Sequence, residues 1–295
     1  MAEKRIKSRM LHSYLHDPSA IVGSVILVIF IIAALLAPWI TAQNPYDMEK
    51  LSLDHFLTPP IWMEEGEAPF ILGTDDQGRG ILSTIIYGCR TSLIVGFSVV
   101  LIAGTFGVVM GLLSGYYGGW LDAIMMRLAD TFFSFSTTLM AFLMLGIFGP
   151  RGVFIVIIAI CIADWVRYAR TMRGSVLEVK EEAYIMAAKA TGAGDLRLLL
   201  RHLLPNAIPP IFVVVAVDLA VVIMLEATLS FLGVGVPINE PSLGMMIAIG
   251  RNYIYAGMWW MIVFPGAALV LLVVGINLFA DWLREELNPK IERRA

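Results

Sequence analysis

The sequence predicts an all-α membrane protein that crosses a bilayer six times, and three observations predict it. Hydrophobic residues make up 58% of the 295-residue chain and charged residues only 15%, where a soluble domain carries about 25% charged residues. The deficit is uneven. It comes from runs almost free of Asp, Glu, Lys and Arg, and roughly 18 such residues in a row are enough to span hydrocarbon. Finally, Lys and Arg are partitioned between the two sides of the expected spans. With the N-terminus inside, only Lys50, Arg79, Arg90, Arg151 and Arg251 of the 21 basic residues fall outside, as the positive-inside rule requires.

The spans are expected at 20–40, 93–113, 131–148, 152–169, 208–232 and 260–281, so both termini are cytoplasmic. Backbone amides in hydrocarbon must bond within their own segment, which makes each span a helix. Before the first, residues 1–19 form a cytoplasmic segment with Lys4, Arg5, Lys7 and Arg9. The apolar run from Ser19 to Ile40 is about twice the length of a signal-peptide core and reads as a retained anchor. No lipidation motif is present. Trp39, Trp259, Trp260 and Trp282 sit near span ends, where interfacial aromatics collect.

Residues 41–92 form an outer loop rich in acids and prolines. It ends in Leu72-Gly73-Thr74-Asp75-Asp76-Gln77-Gly78-Arg79-Gly80, where Asp75 or Asp76 is placed to cap a helix beginning near Gln77. Leu82, Ile85, Ile86 and Cys89 then fall on one side at helical spacing and predict a surface helix before the second span. A capped helix with a glycine turn explains this pattern. Reception of substrate or a binding protein is the functional alternative. In the second span Gly107, Gly111 and Gly115 make two overlapping GxxxG steps for close helix packing, expected within the chain rather than between subunits.

The cytoplasmic loop 170–207 is predicted as two short helices. The first, Ser175 to Thr191, presents a small-residue stripe of Ala183, Ala187, Ala188 and Thr191. Gly192 and Gly194 end it, since glycine accepts the left-handed turn at a helix C-terminus. Asp195 is placed to cap the second, Leu196 to Leu204, and Pro205, Pro209 and Pro210 mark the restart into the fifth span. The leucine face of that second helix can bury against its own bundle or fill a groove on a partner. The chemistry alone leaves both open.

Charges inside spans are costly and mark functional candidates. Asp130 and Asp164 lie near span ends and can pair locally, Asp164 with Arg167 or Tyr168. Asp218 and Glu226 lie deeper, with Ser230 four residues beyond Glu226. The Asp218 carboxylate could recognise a cationic substrate, and Glu226 could hold a structural hydrogen bond. Cys89 and Cys161 read as packing residues without a Cys-x-x-Cys spacing. His12, His16, His55 and His202 form no metal pattern. A net charge of −3 points to no nucleic acid, and no Gly-x-x-x-x-Gly-Lys-Ser/Thr loop is present to bind ATP.

A family resemblance runs through these motifs. Met186-Ala187-Ala188-Lys189-Ala190-Thr191-Gly192, followed after nine residues by His202-Leu203-Leu204-Pro205, resembles the EAA loop of ABC importer permeases. Ala187, Ala188, Gly192, Leu204 and Pro205 match, whereas Met186 stands for the pattern's Glu and His202 for its Ile. The run from Thr191 to Arg197 and the run Arg201 to Asn206 are similar to the dipeptide/oligopeptide/nickel branch. So are the outer-loop signature Asp75, Asp76, Gln77, Gly78 and Arg79 (with Gly80 where Asp is common), Tyr87 to Leu93, Leu225 to Gly235, Phe264-Pro265-Gly266 and Asn288-Pro289-Lys290. The chain resembles that branch's shorter, C-type permease.

The resemblance implies a type I permease fold with a coupling helix in the loop that comprises Ala187, Ala188, Gly192, Asp195, Leu204 and Pro205. It implies half of a translocation pathway in an inner membrane, with Asp218, Glu226 and Ser230 as candidate residues of the pathway or, for Glu226, of its gate. It also implies a homologous second permease subunit, two ATP-binding subunits and an external substrate-binding protein. ATP and Mg would sit on the ATPase partners and no cofactor on this chain, whose other contact is membrane lipid. Residues 93–281 would form the core and 282–295 a cytoplasmic tail. The competing class is an autonomous ion-coupled transporter using Asp218 and Glu226, which calls for paired repeats that the sequence lacks. An intramembrane protease would need a Ser/His or metal constellation, and none is visible.

Overall fold

The computed structural model describes residues 13–47, 55–148 and 152–287. Lys4, Arg5, Lys7, Arg9, Lys50, Arg151 and the Asn288-Pro289-Lys290 motif lie outside the described residues.

The first of the long described helices, α1 (Pro18–Leu35), starts where Asp17 accepts hydrogen bonds from the Ser19 and Ala20 amides, with Pro18 at the first position. These are the two usual devices for satisfying or deleting orphan N–H groups. The surface helix expected before the second span is not separate. It continues into that span as one helix of 37 residues, α2 (Ile81–Tyr117), about 55 Å long and well beyond a bilayer core. No Gly or Pro between residues 89 and 95 interrupts the apolar pattern, so the backbone has no reason to break there.

The third expected span is bent. Helix α3 (Gly119–Phe133) and helix α4 (Thr137–Phe148) meet at 90°. The fourth, α5 (Val153–Val179), runs ten residues past its expected end at 169, so the loop helix is shorter than expected and begins only at Ala183. That helix is α6 (Ala183–Ala190). Beyond it Asp195–Arg197, a π-helical stretch Leu198–Leu203 and Leu204–Ala207 form one continuous segment, α7. The π turn has a local cause: Pro205 has no N–H to return to Arg201, and the Leu204 N–H reaches five residues back to Leu199 O.

Helix α8 (Pro209–Phe231) matches the fifth expected span closely. A short buried helix, α9 (Leu243–Gly250), was not anticipated, because eight apolar residues are too few for a span. Helix α10 (Trp260–Glu286) is the last among the described residues. Among the described residues four helices, α1, α2, α8 and α10, are long and apolar enough to cross a membrane, and the bent α3–α4 pair would be a fifth.

The core sits where α2 lies along α5. A Cβ at Gly107 would meet the Trp165 carbonyl and Tyr168 Cβ, at Gly111 the Ala169 carbonyl and Met172 Cβ, and at Gly115 Val176 Cβ. The glycine stripe therefore serves packing within the chain, as expected. Val95, Val99, Ile160, Met172, Leu203 and Leu229, all buried, fill the space between α2, α5, α7 and α8. Leu272 and Ile276 of α10 join Ala34 of α1 and Ile223 of α8 in a second layer.

Candidate functional site

Three groups of sequence-marked residues are placed by this frame. In the loop, α6 stands clear of the bundle. Ile185 is its only buried side chain, Ala188 is half-buried, and Ala187, Tyr184 and Met186 are exposed. Both ends of this helix are fixed. At its C-terminus Ala193 N–H donates to Ala188 O and Gly192 N–H to Lys189 O, the paired bonds of a Schellman turn. Gly192 takes the φ of +85° that this turn requires. At its N-terminal base Lys180 Nζ donates to the Gly115 carbonyl at 3.1 Å. Arg173 holds Asp122 by two bonds of 2.6 Å.

Asp195 does not cap α7. It is that segment's first helical residue, behind an N-cap at Gly194 without a side-chain bond. Its Oδ1 instead accepts from the Tyr116 hydroxyl at 2.6 Å, a tie between the loop and the end of α2 across 79 residues of sequence. Leu198, Leu199 and Leu203 bury against the bundle, while Leu196 and Leu200 remain exposed. Leu204 is half-buried against the core and Pro205 is exposed. The loop therefore does both things its chemistry allowed: it packs inward on one face and leaves apolar side chains outward on the other.

The pathway candidates Asp218, Glu226 and Ser230 are all fully buried. Glu226 accepts hydrogen bonds from Ser92 (2.8 Å), Ser230 (2.8 Å) and Ser242 (2.7 Å). These hydroxyls come from α2, from α8 and from the residue before α9. Ser230 Oγ also receives the Val236 N–H. One carboxylate thus ties three segments together, and sequence reasoning missed Ser92 and Ser242 because nothing local marks them. Asp218 lies apart from this knot. It accepts from Tyr168 at 2.7 Å and pairs with Arg167, and Arg167 also faces Asp164 at 3.6 Å. The local pairing of Asp164 with Arg167 expected from sequence is present, with Asp218 added. Asp130 pairs with Arg170.

In the outer loop Asp75 caps no helix either, since α2 begins only at Ile81. Asp75 folds the turn back on itself, accepting from Gln77 N (2.8 Å), Arg79 N (2.9 Å) and Arg79 Nε (2.7 Å). Gly78 supplies a φ of +72°. The Arg79 side chain is buried and also donates to the Ile238 carbonyl, which connects this turn to the segment after α8. Asp76 faces Tyr253 at 3.5 Å, and burial, then the Asp75 charge, push its carboxyl above the ordinary range. Among the described residues no cluster of His, Cys, Asp and Glu could hold a metal ion.

The geometry describes a bundle of apolar helices with a braced helix, α6, that stands clear of it. The family described as the binding-protein-dependent transport system inner membrane component matches residues 107–293. The chain belongs to this family. The N-terminal transmembrane domain of oligopeptide transport permease C matches residues 8–60. The chain is 38% identical over 283 residues, 96% of its length and 92% of the relative's, to the di/tripeptide transport system permease protein DppC of Pseudomonas aeruginosa strain UCBPP-PA14. It is 35% identical, over 93% of its length and 86% of the relative's, to the oligopeptide transport system permease protein OppC of Bacillus subtilis strain 168.

The fold is shared with the MetNI methionine ABC transporter in inward-facing form. That match has a TM-score of 0.58 at 20% identity and covers 70% of this chain and 98% of that one. As a member of the binding-protein-dependent family, the chain is a multi-pass inner-membrane permease of an ABC transporter. It is a transport component and not an enzyme. Family membership also implies ATPase and binding-protein partners, and it removes the autonomous ion-coupled alternative.

Proposed function

We propose that this chain forms half of the translocation pathway of an ATP-driven importer of peptides or closely related small solutes, beside a homologous second permease. Two ATPase subunits carry ATP and Mg, one of them receives α6, and an external binding protein delivers the solute to the outer loops. The peptide assignment follows the relatives, which are named for di-, tri- and oligopeptide transport. Six spans with both termini cytoplasmic fit the charge distribution. The fourth, α5, carries Arg167, Arg170 and Arg173, each matched by a carboxylate on α3 or α8.

The observation that carries the reading is α6. A short helix held by turns at both ends, with one anchor at Ile185 and exposed Tyr184, Met186 and Ala187, suits a groove on a partner. Fixed at both ends, it moves as a rigid body with α2 and α5. Reconstituted with its partners, the complex is expected to hydrolyse ATP faster when the loaded binding protein is added. Gly192→Pro, which cannot take a positive φ, should abolish that stimulation while membrane insertion and basal hydrolysis persist. Asp195→Arg, which removes the Tyr116 tie, should weaken it strongly. Full stimulation in both variants would overturn the docking assignment.

A further inference from the structure

Two buried carboxylates, Asp164 and Asp218, face one guanidinium, Arg167, between α5 and α8. Asp164 is 4% exposed and Asp218 not at all. Their oxygens are unequally served. Asp218 Oδ1 takes the Arg167 Nη1 bond and Oδ2 takes the Tyr168 hydroxyl. Asp164 Oδ1 lies 3.6 Å from Arg167 Nη2, and its Oδ2 is buried without any partner. The titratable groups around Asp164 are Arg167, Tyr168 and Cys161 from α5 and Asp218 from α8. Cys161 is occupied elsewhere, with its thiol directed to the Val99 carbonyl of α2 at 3.9 Å. Arg167 is thus the sole positive charge in the group, against two carboxylates.

Two ionised carboxylates this close to each other and one cation leave a net negative charge inside the bundle, where an unpaired charge is strongly disfavoured. Paired carboxylates relieve such repulsion by keeping one proton between them. Asp218 already has a donor on each oxygen, whereas Asp164 Oδ2 has none. The geometry points to a proton-binding site on Asp164 Oδ2, which makes Asp164, Arg167 and Asp218 a neutral unit that joins α5 to α8. The bound proton is structural and is retained at neutral pH. This inference requires only that α5 and α8 lie in the bilayer, and it stands whatever solute is carried.

The assembled transporter in lipid nanodiscs tests it by infrared spectroscopy. At neutral pH the difference spectrum, parent minus Asp164→Asn, should contain a protonated-carboxyl C=O stretch, because every other carboxyl group cancels. Because asparagine is also neutral there, Asp164→Asn should keep uptake within about twofold of the parent. Asp164→Asn with Asp218→Asn leaves Arg167 without a counter-charge and should lose at least about tenfold in uptake or in folded yield. Absence of that band from the difference spectrum at neutral pH would overturn the site. So would loss of uptake in a correctly inserted Asp164→Asn protein, since that would show that an ionised Asp164 is required.

Discussion

Asp75 and Asp76 are neighbours with opposite environments, and the difference is set by donors. Asp75 has three donors on its carboxylate, whereas Asp76 has one long contact from Tyr253 and a buried Oδ1 without a partner. Burial, then the Asp75 charge, hold the Asp76 carboxyl above its ordinary value of 3.8. The folded loop therefore binds the Asp76 proton more tightly than the unfolded chain. Its stabilising contribution is complete below 3.8 and is lost as pH rises through the raised value. Hydrogen exchange across residues 55–80 should show protection falling from acidic toward neutral pH in the parent, and falling less in Asp76→Asn. The His55–Glu67 pair at 3.3 Å is common to both proteins, so the difference between them isolates Asp76. Equal pH profiles would remove this account. The sequence marked both aspartates but gave them the wrong task, because a capping pattern does not reveal that Arg79, four residues on, will turn back onto Asp75.

Among the elements, helix existence was legible from apolar runs, and helix ends were less so. Spans one, five and six start within two residues of their expected positions, since Asp17 with Pro18 and Pro209 with Pro210 are punctuation that the chain must obey. The union of the surface helix with the second span was not legible, because an absence of breakers permits continuity without requiring it. Nor was α9, whose burial depends on Gly244 meeting the Ala227 backbone from α8. The glycine stripe of α2 was read correctly, because spacing of four on an apolar helix has one main physical use. It also makes a sharp prediction. Gly111→Ala would drive its Cβ onto the Ala169 carbonyl and within 2.8 Å of Met172 Cβ, a cost of about 1–3 kcal/mol. Gly174→Ala on α5 meets nothing within 4 Å and gains about 1 kcal/mol of helix propensity. Thermal unfolding in detergent should therefore place Gly111→Ala below the parent and Gly174→Ala at or above it. If the order were reversed, α2 and α5 would not be in the contact described.

For the whole molecule, parity constrains the number of crossings. Four helices cross by length and composition alone, and the bent α3–α4 pair would be a fifth. Five crossings would put the two termini on opposite sides. The basic residues near both ends of the chain would then be divided across the membrane, against the positive-inside tendency. The crossing of α3–α4 and the crossing of α5 therefore stand or fall together. Four and six crossings place both termini, the outer loop and the α6 loop identically, and only the segment between α4 and α5 changes sides. The ion pairs that match the charges of α5 to Asp122, Asp130 and Asp218 lower the cost of passing it through hydrocarbon, which favours six. A periplasmic alkaline phosphatase reporter fused after Gly152 should therefore be active, as it should after Glu65. The same reporter fused after Lys189 should be silent. Activity after Glu65 with silence after Gly152 would reduce the molecule to four crossings and make α3–α4 a re-entrant hairpin on the cytoplasmic side.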